Sequence, residues 1–308
     1  MKEIYIKTIK DDVLSKINEI RNGCWINLEN PDKNEIEEMA EKLKIQKDWL
    51  NSSIDIDEKS RIEAENGDIL IIVRVPYKNG DGEITTMPVG IIVTREMILT
   101  VSPNSNFVIE DIKNGKVNIY TTQRARFILK FFERTNYYYD KFIHELERTS
   151  EHIESMLTHS LSNKEIYELL IIQKALIYFS SAIVSNEIVF EKIRTGKILK
   201  LYENDMDLID DIILSNKEIY EGIKILRDVL SNTLDAYASI ISNNLNIVMK
   251  FLTSISIILS VPVLIASFYG MNVALPFGNR PDAFMLILML SFFVSMLIFL
   301  FFKRQHWL

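Results

Sequence analysis

Residues 251–270 hold no ionisable side chain except Tyr269, and residues 283–302 hold none at all. Each stretch is about 20 residues, the length an α-helix needs to cross roughly 30 Å of hydrocarbon. The short segment between them is rich in Gly, Pro and Asn, so the pattern predicts a tight helical hairpin through a bilayer. The first span ends in Tyr269-Gly270-Met271-Asn272. Gly270 and Asn272 both tolerate the left-handed backbone of a helix C-cap, so the span is expected to stop there in that conformation.

The average composition hides this feature. Over 308 residues the chain is 48% hydrophobic and 25% charged, with a net charge of −7, much like a globular protein. The length predicts two or more domains. A lone Cys24 excludes an intramolecular disulfide and fits a reducing compartment. Met1-Lys2-Glu3-Ile4-Tyr5 lacks the apolar core of a signal peptide, so the residues ahead of the first span are expected to stay cytoplasmic. Lys250 precedes that span, and Lys303 and Arg304 follow the second. Basic residues on these flanks predict a multi-pass protein of the cell membrane with both termini cytoplasmic. Arg280 and Asp282 leave the outer segment formally neutral, and Trp307 suits an interfacial anchor. The acidic balance gives no support to nucleic acid as a partner.

Residues 1–120 alternate β and α signals. Strands are predicted at 3–9, 24–28, 69–75, 85–93 and 97–101, with turn clusters such as Asn79-Gly80-Asp81-Gly82 between them. A helix is predicted over 35–43, where Ile36, Met39, Ala40 and Leu43 recur at helical spacing. The fold class is therefore an α+β cytoplasmic domain followed by long helices. Residues 121–196 form two of these, over 121–159 and 162–194, joined near Leu161-Ser162-Asn163, and Gly196 marks a further reversal. From 197 to 268 the only proline is Pro262 and the only glycine is Gly222. One uninterrupted helix here would be roughly 110 Å long; the alternative is two helices broken at Gly222. The expected partition is a stalk over 197–248, a first membrane helix over 249–270, an outer loop over 271–282, a second membrane helix over 283–302 and a basic tail over 303–308. A helix this long cannot be buried in one compact domain and needs partners, which further copies of the chain can supply.

Steps of four and three from Asn246 pass through Met249, Thr253, Ser256, Ser260, Val263 and Ser267. This gathers hydroxyls and a thioether on one stripe, with bulky apolar side chains elsewhere. Such a stripe serves close helix packing or lines a water-filled path. Its continuation into Asn246 and Asn272 at its two ends favours a path.

Tyr269-Gly270-Met271-Asn272 after the first of two C-terminal spans resembles the signature of the CorA magnesium-channel family. The resemblance extends to Leu234-Asp235-Ala236-Tyr237, to Asn244-Leu245-Asn246-Ile247-Val248-Met249-Lys250 and to Lys303-Arg304-Gln305-His306-Trp307-Leu308. It implies a funnel-shaped homopentamer whose first span lines a pore and whose Gly270, Met271 and Asn272 ring the outer mouth. The ligands it implies are hydrated divalent cations, above all Mg2+, both transported and regulatory. Mg2+ sheds water reluctantly, and neutral carbonyls at Gly270 and Asn272 hydrogen-bond its hydration shell without trapping it. The resemblance also implies a second polar ring at Asn246 and an apolar constriction at Met249 and Leu252.

Two features depart from the family pattern. Val263 stands where a hydroxyl is usual, and Val273-Ala274-Leu275-Pro276-Phe277 lacks the acids that many members carry after the signature. The resemblance implies regulation by cytoplasmic Mg2+ held between acids of neighbouring subunits. Asp211, beside Asp207 and Asp210, matches the stalk acid. Asn51 and Ser52 occupy the opposing position, with Asp55, Asp57 and Glu58 nearby; the competing reading of residues 205–211 is a solvated face. A zinc, cobalt or nickel transporter of the same architecture and a membrane-anchored scaffold are the rival functions. No sequence motif supports an enzyme.

Overall fold

The computed structural model describes residues 2–80, 82–157, 163–273, 276 and 281–307. Its contacts divide the chain into two units, Met1–Ser231 and Asn232–Leu308.

The first unit is built on a seven-stranded sheet in the order β2-β1-β3-β7-β6-β5-β4. The strands are β1 (Lys2–Ile6), β2 (Ser15–Ile17), β3 (Trp25–Glu29), β4 (Arg61–Glu65), β5 (Asp68–Lys78), β6 (Ile84–Val93) and β7 (Ile98–Ser102). Among the described residues only β3 and β7 pair in parallel. Helices α1 (Lys33–Leu43), α2 (Lys47–Ile54), α3 (Phe107–Lys113), α4 (Arg124–Leu157) and α5 (Asn163–Arg194) accompany them. The central strands read as continuous Ile, Leu and Val runs because both faces are covered. One face presents Ile26, Leu28, Leu70, Ile72, Ile92 and Leu99 to Ile36, Met39, Trp49 and Leu50 of α1 and α2. On the other, Trp25 lies 5.4 Å from the Phe127 ring of α4 and α5 packs along β4, β5 and β6.

Sequence periodicity located the long strands and helices, with ends displaced by a few residues. It missed β2, β4, α2 and α3. Asn66 and Gly67, at φ 53° and 89°, form the two-residue hairpin joining β4 to β5, where Glu65 pairs with Asp68. Both central residues of a type I′ turn need positive φ, which Asn and Gly supply. The expected helix ends at 159 and 162, the Leu161-Ser162 junction, Asp81 and Leu308 lie outside the described residues. Gly196, at φ 68°, does reverse the chain after α5. Then α6 (Glu203–Tyr269) runs through Gly222 and Pro262 without interruption, so the two-helix alternative fails. It begins at Glu203, later than the expected 197. The second unit holds its last part and α7 (Ala283–Arg304).

A close approach fixes α2 on the sheet. A Cβ built on Gly90 would overlap the Oγ and Cβ of Ser53, so only glycine lets α2 sit at this depth. Gly90→Ala is expected to cost about 1–3 kcal/mol through overpacking. It should appear as a lowered thermal midpoint of the first unit, with Ser53→Gly in the same chain restoring part of the loss.

Candidate functional site

Within the second unit the two helices are long, apolar and almost bare. Only 6% of the apolar window of either α6 or α7 is buried. Helices satisfy their own backbone groups, so such surfaces are stable in hydrocarbon or against other helices, and unstable in water. By length and composition α5 could also span a membrane, yet 39% of its window is buried. Leu169, Ile172, Phe179, Ile183 and Phe190 account for that apolarity as core of the first unit.

The faces of α6 differ. Ser254 is fully buried, and Ile258 and Pro262 share a cleft of about 580 Å3 with Leu288, Ser291, Phe292 and Ser295 of α7. Small side chains at this seam let the two backbones approach. A different face carries the expected stripe, where Thr253, Ser256, Ser260, Val263 and Ser267 line one groove. Asn246, Met249 and Leu252 are exposed on the same helix. Ser256 Oγ donates to Leu252 O at 2.9 Å, and Ser260 Oγ donates to Ser256 O at 2.7 Å. Each proton is committed to the preceding turn, which leaves oxygen lone pairs facing outward. Sequence spacing identified the stripe but missed Ser254, Ser291 and Ser295, whose only signal was their smallness on the adjoining face.

The signature at the end of α6 adopts a different cap from the expected one. Gly270 N–H still donates to Ala266 O at 2.9 Å, and Met271 N–H reaches Phe268 O at 3.3 Å. Neither Gly270 nor Asn272 has positive φ, so the left-handed cap is corrected to a helix that extends one residue and tightens. This keeps Gly270, Met271 and Asn272 exposed directly at the helix end. Ala274, Leu275, Phe277 and Arg280 lie outside the described residues. After α7, Trp307 stacks on Phe302 with ring centroids 5.3 Å apart.

The acids proposed to hold a regulatory cation all belong to the first unit. Asp207, Asp210 and Asp211 are exposed near the start of α6, and Arg194 Nε bonds Asp210 at 2.6 Å. Asp205 leaves the supposed solvated face: it is buried and paired with Arg126 at 3.2 Å. Asp55 and Asp57 are exposed in the loop after α2, and Asp57 N–H donates to Asp55 Oδ1. Arg74 on β5 holds this loop, donating to Ile56 O and Glu58 O. Burial pushes the Arg74 guanidinium below its usual pKa, while Tyr139 and Asp57 oppose the change. Ser52 accepts a hydrogen bond from Arg61, and Asn51 is exposed. Among the described residues of one copy, no three His, Cys, Asp or Glu converge on a metal position.

A sequence profile described as CorA-like Mg2+ transporter protein matches residues 21–304. The chain belongs to that family. Family members are transporters, which sets the enzyme reading aside. The cobalt/magnesium transport protein CorA of Methanocaldococcus jannaschii is 25% identical over 290 residues, covering 92% of this chain and 91% of the relative. Its namesake from Thermotoga maritima is 20% identical over 297 residues, covering 92% and 83%. The complete structure of the M. jannaschii CorA magnesium transporter superposes with a TM-score of 0.85 at 24% identity, covering 100% of this chain and 99% of that one. The fold of the whole chain is therefore the CorA fold, and the apolar helices are those of a membrane protein.

Membrane insertion of α7 is directly testable. Phe293, at the middle of the helix, is 61% exposed. Phe293→Asp places a carboxylate at the expected bilayer centre, at about 2.5–3.5 kcal/mol. The protein should shift measurably from the membrane fraction to the soluble or degraded fraction, whereas Phe293→Leu should stay in the membrane.

Proposed function

We propose that the chain forms a passive channel for hydrated Mg2+, and for Co2+ as in the names of its relatives, by assembling as a homopentamer with α6 facing the axis. The observation that carries this reading is the acceptor-rich groove of Thr253, Ser256, Ser260 and Ser267 on an apolar helix, ending at the exposed Asn272. Repeated around an axis, the groove becomes the wall of a water-filled path, and the Asn272 amides form a ring at its mouth. Hydrated Mg2+ presents water hydrogens outward, and side-chain carbonyls accept them. Both termini lie in the cytoplasm in this arrangement, with Lys250, Lys303 and Arg304 on the inner side. The membrane potential supplies the driving force, roughly 4.6 kcal/mol per 100 mV for a divalent ion.

Asn246 adds an inner polar ring, and Met249 and Leu252 form an apolar collar that closes by dewetting. Cytoplasmic Mg2+ favours the closed state by bridging Asp207, Asp211 and the exposed carboxylates of Asp55 and Asp57 across neighbouring copies. Asp210 is partly neutralised by Arg194, and Asn51 and Ser52 bring no charge at the matched position, so closure needs more Mg2+ than a site that also carries acids there.

Asn272→Ala should abolish Mg2+ uptake into proteoliposomes while the assembly still elutes at the wild-type size. Uptake at the wild-type rate would remove Asn272 from ion recognition. Changing Asp207, Asp210 and Asp211 together to Asn should erase the Mg2+-dependent gain in protease resistance, since a cation that binds only the closed state stabilises it by mass action. Equal protection of variant and wild type leaves these acids as a solvated face.

A further inference from the structure

The first unit contains a cavity of about 650 Å3 where the Asn66-Gly67 hairpin, the start of α4 and the start of α6 meet. Its charge opposes that of the chain. Arg95, Arg124, Arg126 and Lys200 line it against a single lining carboxylate, Asp205, in a protein of net charge −7. Arg126 is neutralised by Asp205 at 3.2 Å. The other three cations form no ion pair among the described residues. Arg124 donates to the Thr94 carbonyl, which orients its guanidinium without neutralising it. Arg95 is seated over the hairpin glycine, where a Cβ on Gly67 would come within 3.4 Å of its Nε. Asp68, just outside the cavity lining, attracts Arg95 only at longer range.

Backbone donors add to this field. The first helical bond of α4 runs from Phe127 N–H to Gln123 O, so the amides of Arg124, Ala125 and Arg126 precede it and lack helical acceptors. Tyr202 is 67% exposed at the rim, with Lys200 Nζ 5.7 Å from its ring centroid. Planar guanidinium forks match phosphate oxygens two at a time. The size is that of a pocket for a compact organic ligand.

We infer that this cavity binds a polyphosphate anion up to the size of a nucleotide, with Arg95, Arg124 and Lys200 holding phosphate oxygens and Tyr202 available to a base. Neither Asp207, Asp210 and Asp211 nor the groove residues of the proposed channel line the cavity, and its existence does not depend on the transport reading. Polyphosphates chelate Mg2+, so the ligand class is chemically linked to the cargo.

Calorimetric titration of the full-length protein in detergent, with EDTA present to exclude metal bridging, tests the inference. The probes are adenosine triphosphate, tripolyphosphate and adenosine. Adenosine triphosphate is expected to bind, and the Arg95→Gln, Lys200→Gln double variant to bind it at least tenfold more weakly with an unchanged thermal midpoint. Arg124→Gln provides an independent second loss. The two sources of the chemistry separate at Tyr202. If Tyr202→Ala weakens adenosine triphosphate at least threefold and leaves tripolyphosphate unaffected, the site takes a nucleotide. If both probes bind equally before and after that change, it takes inorganic polyphosphate. Failure of both anions to bind wild type at millimolar concentration overturns the inference, as does equal binding by wild type and the double variant, or binding of adenosine alone.

Discussion

An α-helix completes its own backbone hydrogen bonds and asks its surroundings only to accept its side chains. In the last part of α6 and in α7 the side chains that need accepting are Leu, Ile, Met and Phe, and almost none of that surface is buried within one chain. At about 25 cal/mol per Å2 of exposed apolar area, this surface excludes water as the surrounding phase. In the proposed assembly, hydrocarbon on one side and further copies of α6 on another satisfy it. The sheet domain faces the opposite constraint and buries both faces of its strands under helices, which is why α5, long and apolar enough to span a membrane, belongs to a core.

Polar atoms in such a setting need partners, and α6 provides them internally. Ser256 and Ser260 bond back to the preceding turn, so these two hydroxyls cost little when dry and present acceptors when wet. At these two positions that one-sidedness suits a cation wrapped in water. Ser254 at the α7 seam bonds back to Phe251 O in the same way, and there Ser254, Ser291 and Ser295 act through their small size.

What the sequence revealed follows from how local the physics is. The spans, the stripe and the long helices are periodic over many residues, and periodicity is readable without coordinates. The hairpin at Asn66-Gly67 was equally local but its strand β4, Arg-Ile-Glu-Ala-Glu, carries too little apolar pattern to announce itself. Helices α2 and α3 were missed because each is short, and their stability comes from Trp49, Leu50, Val108 and Ile112 packing into the core. Side-chain pairings were the least legible. Asp205 joins Arg126 and Asp210 joins Arg194 across large sequence separations, and no local spacing encodes either. The cap at Gly270 was misread for a different reason, because glycine permits positive φ without requiring it.

Pro262 is the one residue inside α6 that cannot donate a backbone hydrogen bond, and it leaves the carbonyl of Ile258 without its usual i+4 amide. Both residues line the cleft against α7, beside Ser295, whose hydroxyl has no partner among the described residues. A rod fails where its cross-section is weakest. Bending load carried along α6 would concentrate at this turn, so deflection of the helix is expected to pivot about Pro262, with the segments on either side moving as stiff levers.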